Sequence, residues 1–454
     1  MRPKAESGAG QVASGGRPAE RVHTGGLSLP ARPTAGKSSR RKPKKLTPEQ
    51  LAERNEKRQE RRHGRWSLRY RIQQITELKA LRNCGYGTIP GKDVELHIRN
   101  TPDGNRANYS NALHCGSVWA CPQCAATIAN GRAQEVRQIM KTAVDAGYSA
   151  AFGTFTLRHR KQHRLRDLWG ALSHGWARAT GGRQWIKQRE AMGIVGFVRV
   201  VEVTYGKKNG WHVHVHVLLI FDRPKLTIKH ARNATHQMWE RWAAGLEAKG
   251  FTCDRNKGHD VRLATLDYSA ENKFEQYFTK MAHEMTSGYA KVARGESVAP
   301  FQIAELATGE KIPEPIRRQW LPVWAEWEQG SKARKQMLIS KELREWAELP
   351  EVTDEELAKN EDGSVAEDVV IALPALTWRY LTVERPALAC VLLDVAENGG
   401  LLAATDWLEA QGLRWHWPPP PTPQEVQREQ LLTEVRAIFG RGAKTVKAPY
   451  VLFL

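Results

Sequence analysis

Residues 209–221, Asn-Gly-Trp-His-Val-His-Val-His-Val-Leu-Leu-Ile-Phe, alternate imidazoles with valines and then run apolar to the end. Successive side chains of a strand point to opposite faces, so the alternation predicts a β-strand with His212, His214 and His216 on one face and Val213, Val215 and Val217 on the other. The stretch before it, 196–205, is equally rich in β-formers, and Gly-Lys-Lys-Asn-Gly at 206–210 predicts a hairpin with a five-residue loop. Residues 147–159 alternate small and apolar side chains and predict a further strand. Leu165, Leu168, Trp169, Leu172 and Trp176 recur at helical spacing over 165–180. Two more helices are predicted at about 227–249 and 269–287, the second capped by Ser269, closed by Gly288 and striped by Phe274, Phe278, Met281 and Met285. Strands joined by a hairpin and interleaved with helices make the expected fold class α+β, a central antiparallel sheet with helices packed across it.

The pattern fades at both ends. Residues 1–45 are rich in Gly, Ser, Pro, Ala and Arg without periodicity and predict a disordered basic tail, followed from the N-cap Thr47 and Pro48 by a charged helix. That helix reads either as a solvated face or as a phosphate-binding arm. Four regions are expected: the tail and charged helix to residue 64, a compact domain over 65–299, a basic Trp-bearing helical region over 300–348, and a mixed extension over 349–454 that opens on an acidic linker. The sequence assigns no role to the extension.

Charge narrows the partner. A formal net charge of +20 points to an anion, with nucleic acid ahead of an acidic membrane surface. No stretch approaches the roughly 20 apolar residues of a membrane helix, and no apolar signal core follows the N-terminal charges, so the chain is expected in the cytoplasm and off the membrane.

Chemistry concentrates at two places. If the loop is 206–210, Tyr205 pairs with Trp211, and counting outward sets Glu202 opposite His214 on the histidine face. A carboxylate buried there is costly without a partner, and a cation between it and the imidazoles removes the cost. Glu202, His214, His216 and His212 are therefore the candidate ligands of a divalent metal with open positions for water or a phosphate oxygen. The second place is the cysteine cluster. Cys115, Cys121 and Cys124, spaced x5 and x2, suit thiolate ligation of structural zinc, with Cys84 as the fourth ligand and His114 or His97 as substitutes. Cys253 and Cys390 read as isolated buried thiols.

The run His214-Val215-His216-Val217-Leu218-Leu219 resembles the histidine-hydrophobic-histidine motif of the HUH endonucleases, and Gly210–His216 resembles its form in rolling-circle replication initiators of actinobacterial plasmids and integrative elements. The strand holding Thr154 and Thr156, which share a face, is similar to the family's first motif, and Tyr277-Phe278-Thr279-Lys280 to its third. A Cys-Pro-x-Cys element like that at 121–124 is common in these initiators. The resemblance covers about 80–290. It implies an HUH endonuclease-like fold and a metal-dependent, site-specific single-strand DNA endonuclease and strand transferase, with magnesium or manganese at the histidines. Tyr277 is then the nucleophile, forming a 5′-phosphotyrosine, and Lys280, one turn on, stabilises its phenolate. The partners implied are single-stranded or supercoiled origin DNA and a host helicase and polymerase. One departure stands out: where some initiators carry a Glu one turn before the Tyr, this chain has Lys273, which puts hydrolytic release in doubt. A conjugative relaxase or transposase of the same superfamily, and a zinc-stabilised non-catalytic DNA-binding regulator, are the competing readings.

Overall fold

The structure, a computed structural model, describes residues 47–264, 297–359, 369–419 and residue 427. Its main sheet is antiparallel throughout and ordered β6-β3-β5-β4. The strands are β3 (Ser149–Thr156), β4 (Ile194–Gly206), β5 (Gly210–Phe221) and β6 (His259–Ala264), with β7 (Ser297–Val298) and β8 (Met337–Ile339) both paired to β4. The predicted register holds: Tyr205 faces Trp211 and Glu202 faces His214. The loop is shorter than expected, because Gly206 pairs with Gly210 and only Lys207, Lys208 and Asn209 connect the strands. Gly210 adopts φ +75, the left-handed residue that ends such a three-residue connection. A Cβ there would also stand 3.0 Å from Lys161 Cα, so the hairpin tip rests on the 160–161 backbone.

The valine face is the core. Val213, Val215 and Val217 are fully buried with Phe155, Val201, Leu172, Trp239 and Trp242. Burial of each valine is worth about 1.5–3 kcal/mol. The predicted helices Leu165–Ala179 and Ile228–Glu247 cover this face, the latter capped by the Thr227 side chain. They cross where a Cβ on Gly245 would meet Gly175 Cα at 2.6 Å, which only glycine permits. On the histidine face, Leu218, Ile220, Val198 and Val200 pack with Val136, Ile139 and Met140 of the helix Pro122–Asp145 and with Leu343 and Trp346. That apolar cover ends where the histidines begin.

Tryptophans tie the 300–348 region to this core. Trp320, Trp324 and Trp327 are buried in it, and the Trp327 indole donates to the Trp119 carbonyl at 2.9 Å. The expected boundary near residue 300 is therefore no break in the packing. The boundary at 64/65 falls inside one helix, Pro48–Gln73, whose N-cap Thr47 is as predicted, here within a capping box with Gln50, and whose last turns carry buried residues.

The extension is likewise not separate. A second sheet, ordered β2-β1-β9, joins β1 (Val94–Thr101) and β2 (Gly104–Ser110) to β9 (Val369–Leu373). Its core takes Trp66, Leu96 and Tyr109 from the N-terminal side, and Ile371, Trp378 and Leu393 from the other. The expectation of no membrane-length stretch needs correction, since Leu388–Ala410 is long and apolar enough to cross a bilayer by length and composition. Its backbone leaves helical geometry at Gly400 (φ 72, ψ −157). Leu392, Leu393 and Ala396 pack in the second core, while Asp394 and Glu397 bind Arg62. It is a helix of that core.

Candidate functional site

Strand alternation and hairpin register deliver three groups to one point. His214 and His216 on β5 each place Nε2 2.8 Å from the same oxygen of Glu202 on β4. Ligand atoms of the three residues all lie within 4.8 Å of one another. From the other side, β3 sets Thr154 opposite His216, and Thr154 Oγ1 lies 3.1 Å from His216 Nδ1. This threonine suits either tautomer: its hydroxyl donates when Nε2 carries the proton, and its oxygen accepts when Nε2 turns to a cation and Nδ1 is protonated. Burial works against the charged form of Glu202, but hydrogen bonds from His214 and then His216 outweigh it and hold the carboxylate well below its usual range. Burial pushes the His216 pKa down. An ionised carboxylate with two imidazole nitrogens against one of its oxygens is a donor set that fits a divalent cation, and the partly exposed Glu202 leaves the outer side open.

His212 shares the face but not the cluster. Its ring stacks on His159, with centroids 4.8 Å apart and 23° between planes, and burial, with His214 next, takes its pKa down to about 4. Thr156 pairs with His214 across β3 and β5. Sequence reasoning passed over His159, whose only signal was its place just past the threonine strand. It also passed over β6, a six-residue edge strand with little periodicity, which sets Asp260 opposite Thr154. Exposed basic residues Arg160, Lys161 and Lys257 lie in the loops beside this end of the sheet. Tyr277, Lys280 and Lys273 lie outside the described residues.

The cysteines meet in the main core. Cys121 is the N-cap of the helix Pro122–Asp145, Pro122 and Cys124 occupy its first turn, and Cys84 follows the short helix Lys79–Arg82. Cys84 Sγ lies 3.7 Å from Cys121 Sγ and 3.6 Å from Cys124 Sγ, and Cys115 Sγ lies 3.7 Å from Cys124 Sγ. A zinc–sulfur bond of about 2.3 Å implies a tetrahedron edge of about 3.8 Å, so the spacing fits four thiolates around zinc. Hydrogen bonds from Cys115, then Cys121 and Cys124, hold the Cys84 thiol well below its usual range. His97 is no substitute ligand. It sits on β1, 2.9 Å from Ser110 Oγ and 3.4 Å from Glu95. His114 adds a weaker hydrogen bond to Cys84. Cys253 and Cys390 are buried and apart from the cluster.

Comparison with known proteins places these groups in a wider region. Residues 107–294 match the family model described as Replication protein. The chain is 27% identical over 289 residues to Protein rep of Streptomyces lividans, an alignment covering 51% of this chain and 63% of that protein. It is 29% identical over 132 residues to a protein called Neomycin resistance protein of Streptomyces cyanogenus, covering 24% of this chain and 30% of that one. The chain thus spans less than two thirds of the length of either relative. No solved structure matches. Glu202, His214, His216, Thr154, Cys115, Cys121, Cys124, Tyr277 and Lys280 all fall inside the matched region, and Cys84 precedes it. The resemblance to replication initiators of actinobacterial plasmids, read first from the motifs, is found again as a likeness over residues 107–294 to the Replication protein family.

Proposed function

We propose that the chain is a replication initiator of a plasmid or other mobile element, acting as an HUH-type, metal-dependent, site-specific single-strand DNA endonuclease and strand transferase. The observation that carries the reading is the convergence of Glu202, His214 and His216 on the open end of a sheet, inside a region similar to replication proteins. These three residues would hold magnesium or manganese, which would supply Lewis-acid polarisation of the scissile phosphate. Thr154 fixes the His216 ring, and Arg160, Lys161 and Lys257 attract the phosphate backbone. Tyr277 attacks the phosphorus, forming a tyrosyl–5′-phosphate bond as the bond to the 3′-oxygen breaks. The freed 3′-hydroxyl primes synthesis by a host polymerase, with a host helicase opening the duplex. Lys280 stabilises the phenolate that a phenol of pKa about 10 otherwise yields only sparingly at neutral pH. Cys84, Cys115, Cys121 and Cys124 hold a structural zinc.

The test is incubation with labelled single-stranded origin DNA and manganese, followed by denaturing electrophoresis. Wild type forms a covalent adduct and a nicked product, EDTA removes both while leaving much of the salt-sensitive DNA binding, and Tyr277→Phe gives neither. Lys280→Ala slows the step without abolishing it. An adduct that maps to Tyr268 or Tyr289 overturns the nucleophile. If wild type forms no adduct on any origin strand, the protein is a zinc-stabilised DNA-binding regulator instead.

A further inference from the structure

Several buried or partly buried arginines in the described residues have carboxylate partners. Arg62 meets Asp394 and Glu397, Arg132 meets Glu135 and Asp354, and Arg189 meets Glu342. Arg199 lacks a carboxylate but donates to the Lys335 carbonyl at 3.3 Å. Arg69 is different. It is 3% exposed, and among the described residues no carboxylate pairs with it; its Nε has no hydrogen-bond partner, as is also true of Arg62 and Arg199. On one side its guanidinium carbon lies 4.3 Å from the Trp66 ring centroid. On the other it rests against Gly85, where a Cβ would stand 2.2 Å from Nη1 and 2.9 Å from Cζ. Gly85 immediately follows Cys84 and has φ +78, a backbone conformation that favours glycine.

The same helix end grips the cysteine segment a second time. One turn beyond Arg69, Gln73 Nε2 donates to the Cys84 carbonyl at 2.9 Å and to the Leu81 carbonyl at 3.1 Å. A guanidinium buried without an anion is costly. A zinc ion held by four thiolates is costly in the opposite sense: the loaded site carries a net charge of −2 in the main core, after its thiols have released their protons to solvent. The positive end of the helix Pro122–Asp145 offsets part of that charge.

We propose that Arg69 is the counter-ion of the zinc tetrathiolate at Cys84, Cys115, Cys121 and Cys124, a positioning residue that stabilises the loaded site and is a liability in the empty one. The inference rests on the zinc reading above. Arg69 also lies between Trp66 of the second core and Gly85, the residue after Cys84 of the main one, so zinc loading bears on how firmly the two cores are joined.

The experiment uses the full chain as wild type, Arg69→Met and Arg69→Lys. Zinc affinity is read by competition with a chromophoric chelator, and Tm is measured with and without zinc. Arg69→Met should bind zinc about 10–100-fold more weakly, as loss of an outer-shell partner does, while its metal-free Tm stays equal or rises. Arg69→Lys keeps the charge and should recover most of the affinity. If methionine and lysine leave zinc affinity at the wild-type value, or lower it equally while the metal-free Tm falls, Arg69 is a packing residue and the inference fails. Arg69→Gln repeats the neutral change should the methionine variant not accumulate. Wild type that takes up no zinc at the cysteines overturns the zinc reading and this inference together, whereas zinc uptake unaffected by Arg69 overturns this inference alone.

Discussion

Cys84, Cys121 and Cys124 are buried in the main core, with Cys115 beside them closing a set of four donors. Glu202, His214 and His216 form a set of three on a sheet face, with 32% of the Glu202 side chain open to solvent. A sealed set of four soft donors leaves a metal no room for substrate, whereas a set of three with one partly exposed carboxylate leaves coordination positions free. Their means of construction differ too. The cysteine set depends on a loop, a helix N-terminus and a glycine of positive φ brought together by tertiary packing. The histidine set depends on strand alternation and one hairpin register. On the proposed function the first serves the stability of the fold and the second its chemistry, so the two should fail differently.

The largest effect should come from Cys121→Ser. Loss of one thiolate from the buried set should cost on the order of 4 kcal/mol and lower Tm by roughly 10 °C, with zinc content falling in parallel. An unchanged melt by calorimetry would show that the cysteines are ordinary core thiols. His214→Ala should do the reverse. Nicking should fall by about three orders of magnitude, while Tm and single-stranded DNA affinity stay near wild type, because the ring lies outside the apolar cores and binding rests on backbone phosphates. A variant that nicks normally in manganese would remove the histidines from the chemistry. The smallest effect should belong to Thr154→Val, which keeps the shape and deletes the hydroxyl that faces His216 Nδ1. Manganese affinity, read from the metal dependence of nicking, should weaken by about 10-fold. Equal affinities would mean that the strand alone orients the ring.

The chain by itself determined a good deal of this protein. Alternation put His212, His214 and His216 on one face, and the paired Tyr205 and Trp211 fixed Glu202 opposite His214, because faces and registers follow from a period of two and a tight turn. Thr47, Thr227 and the Leu165–Ala179 spacing marked helices for equally local reasons. The hairpin of β1 and β2 also had its signal in Thr-Pro-Asp-Gly at 101–104, a turn that reading from the cysteines onward overlooked. Other features were decided only by the tertiary structure. His212 lies opposite Thr204 and outside the Glu202 cluster, and its ring stacks on His159, a contact between loop and strand that no periodicity encodes. Burial of Trp320, Trp324 and Trp327 joined a region that reads as separate to the main core. β9 found β1 across more than half the chain, since a long-range partner is chosen by which edge and apolar face remain to be covered, and no local pattern specifies that.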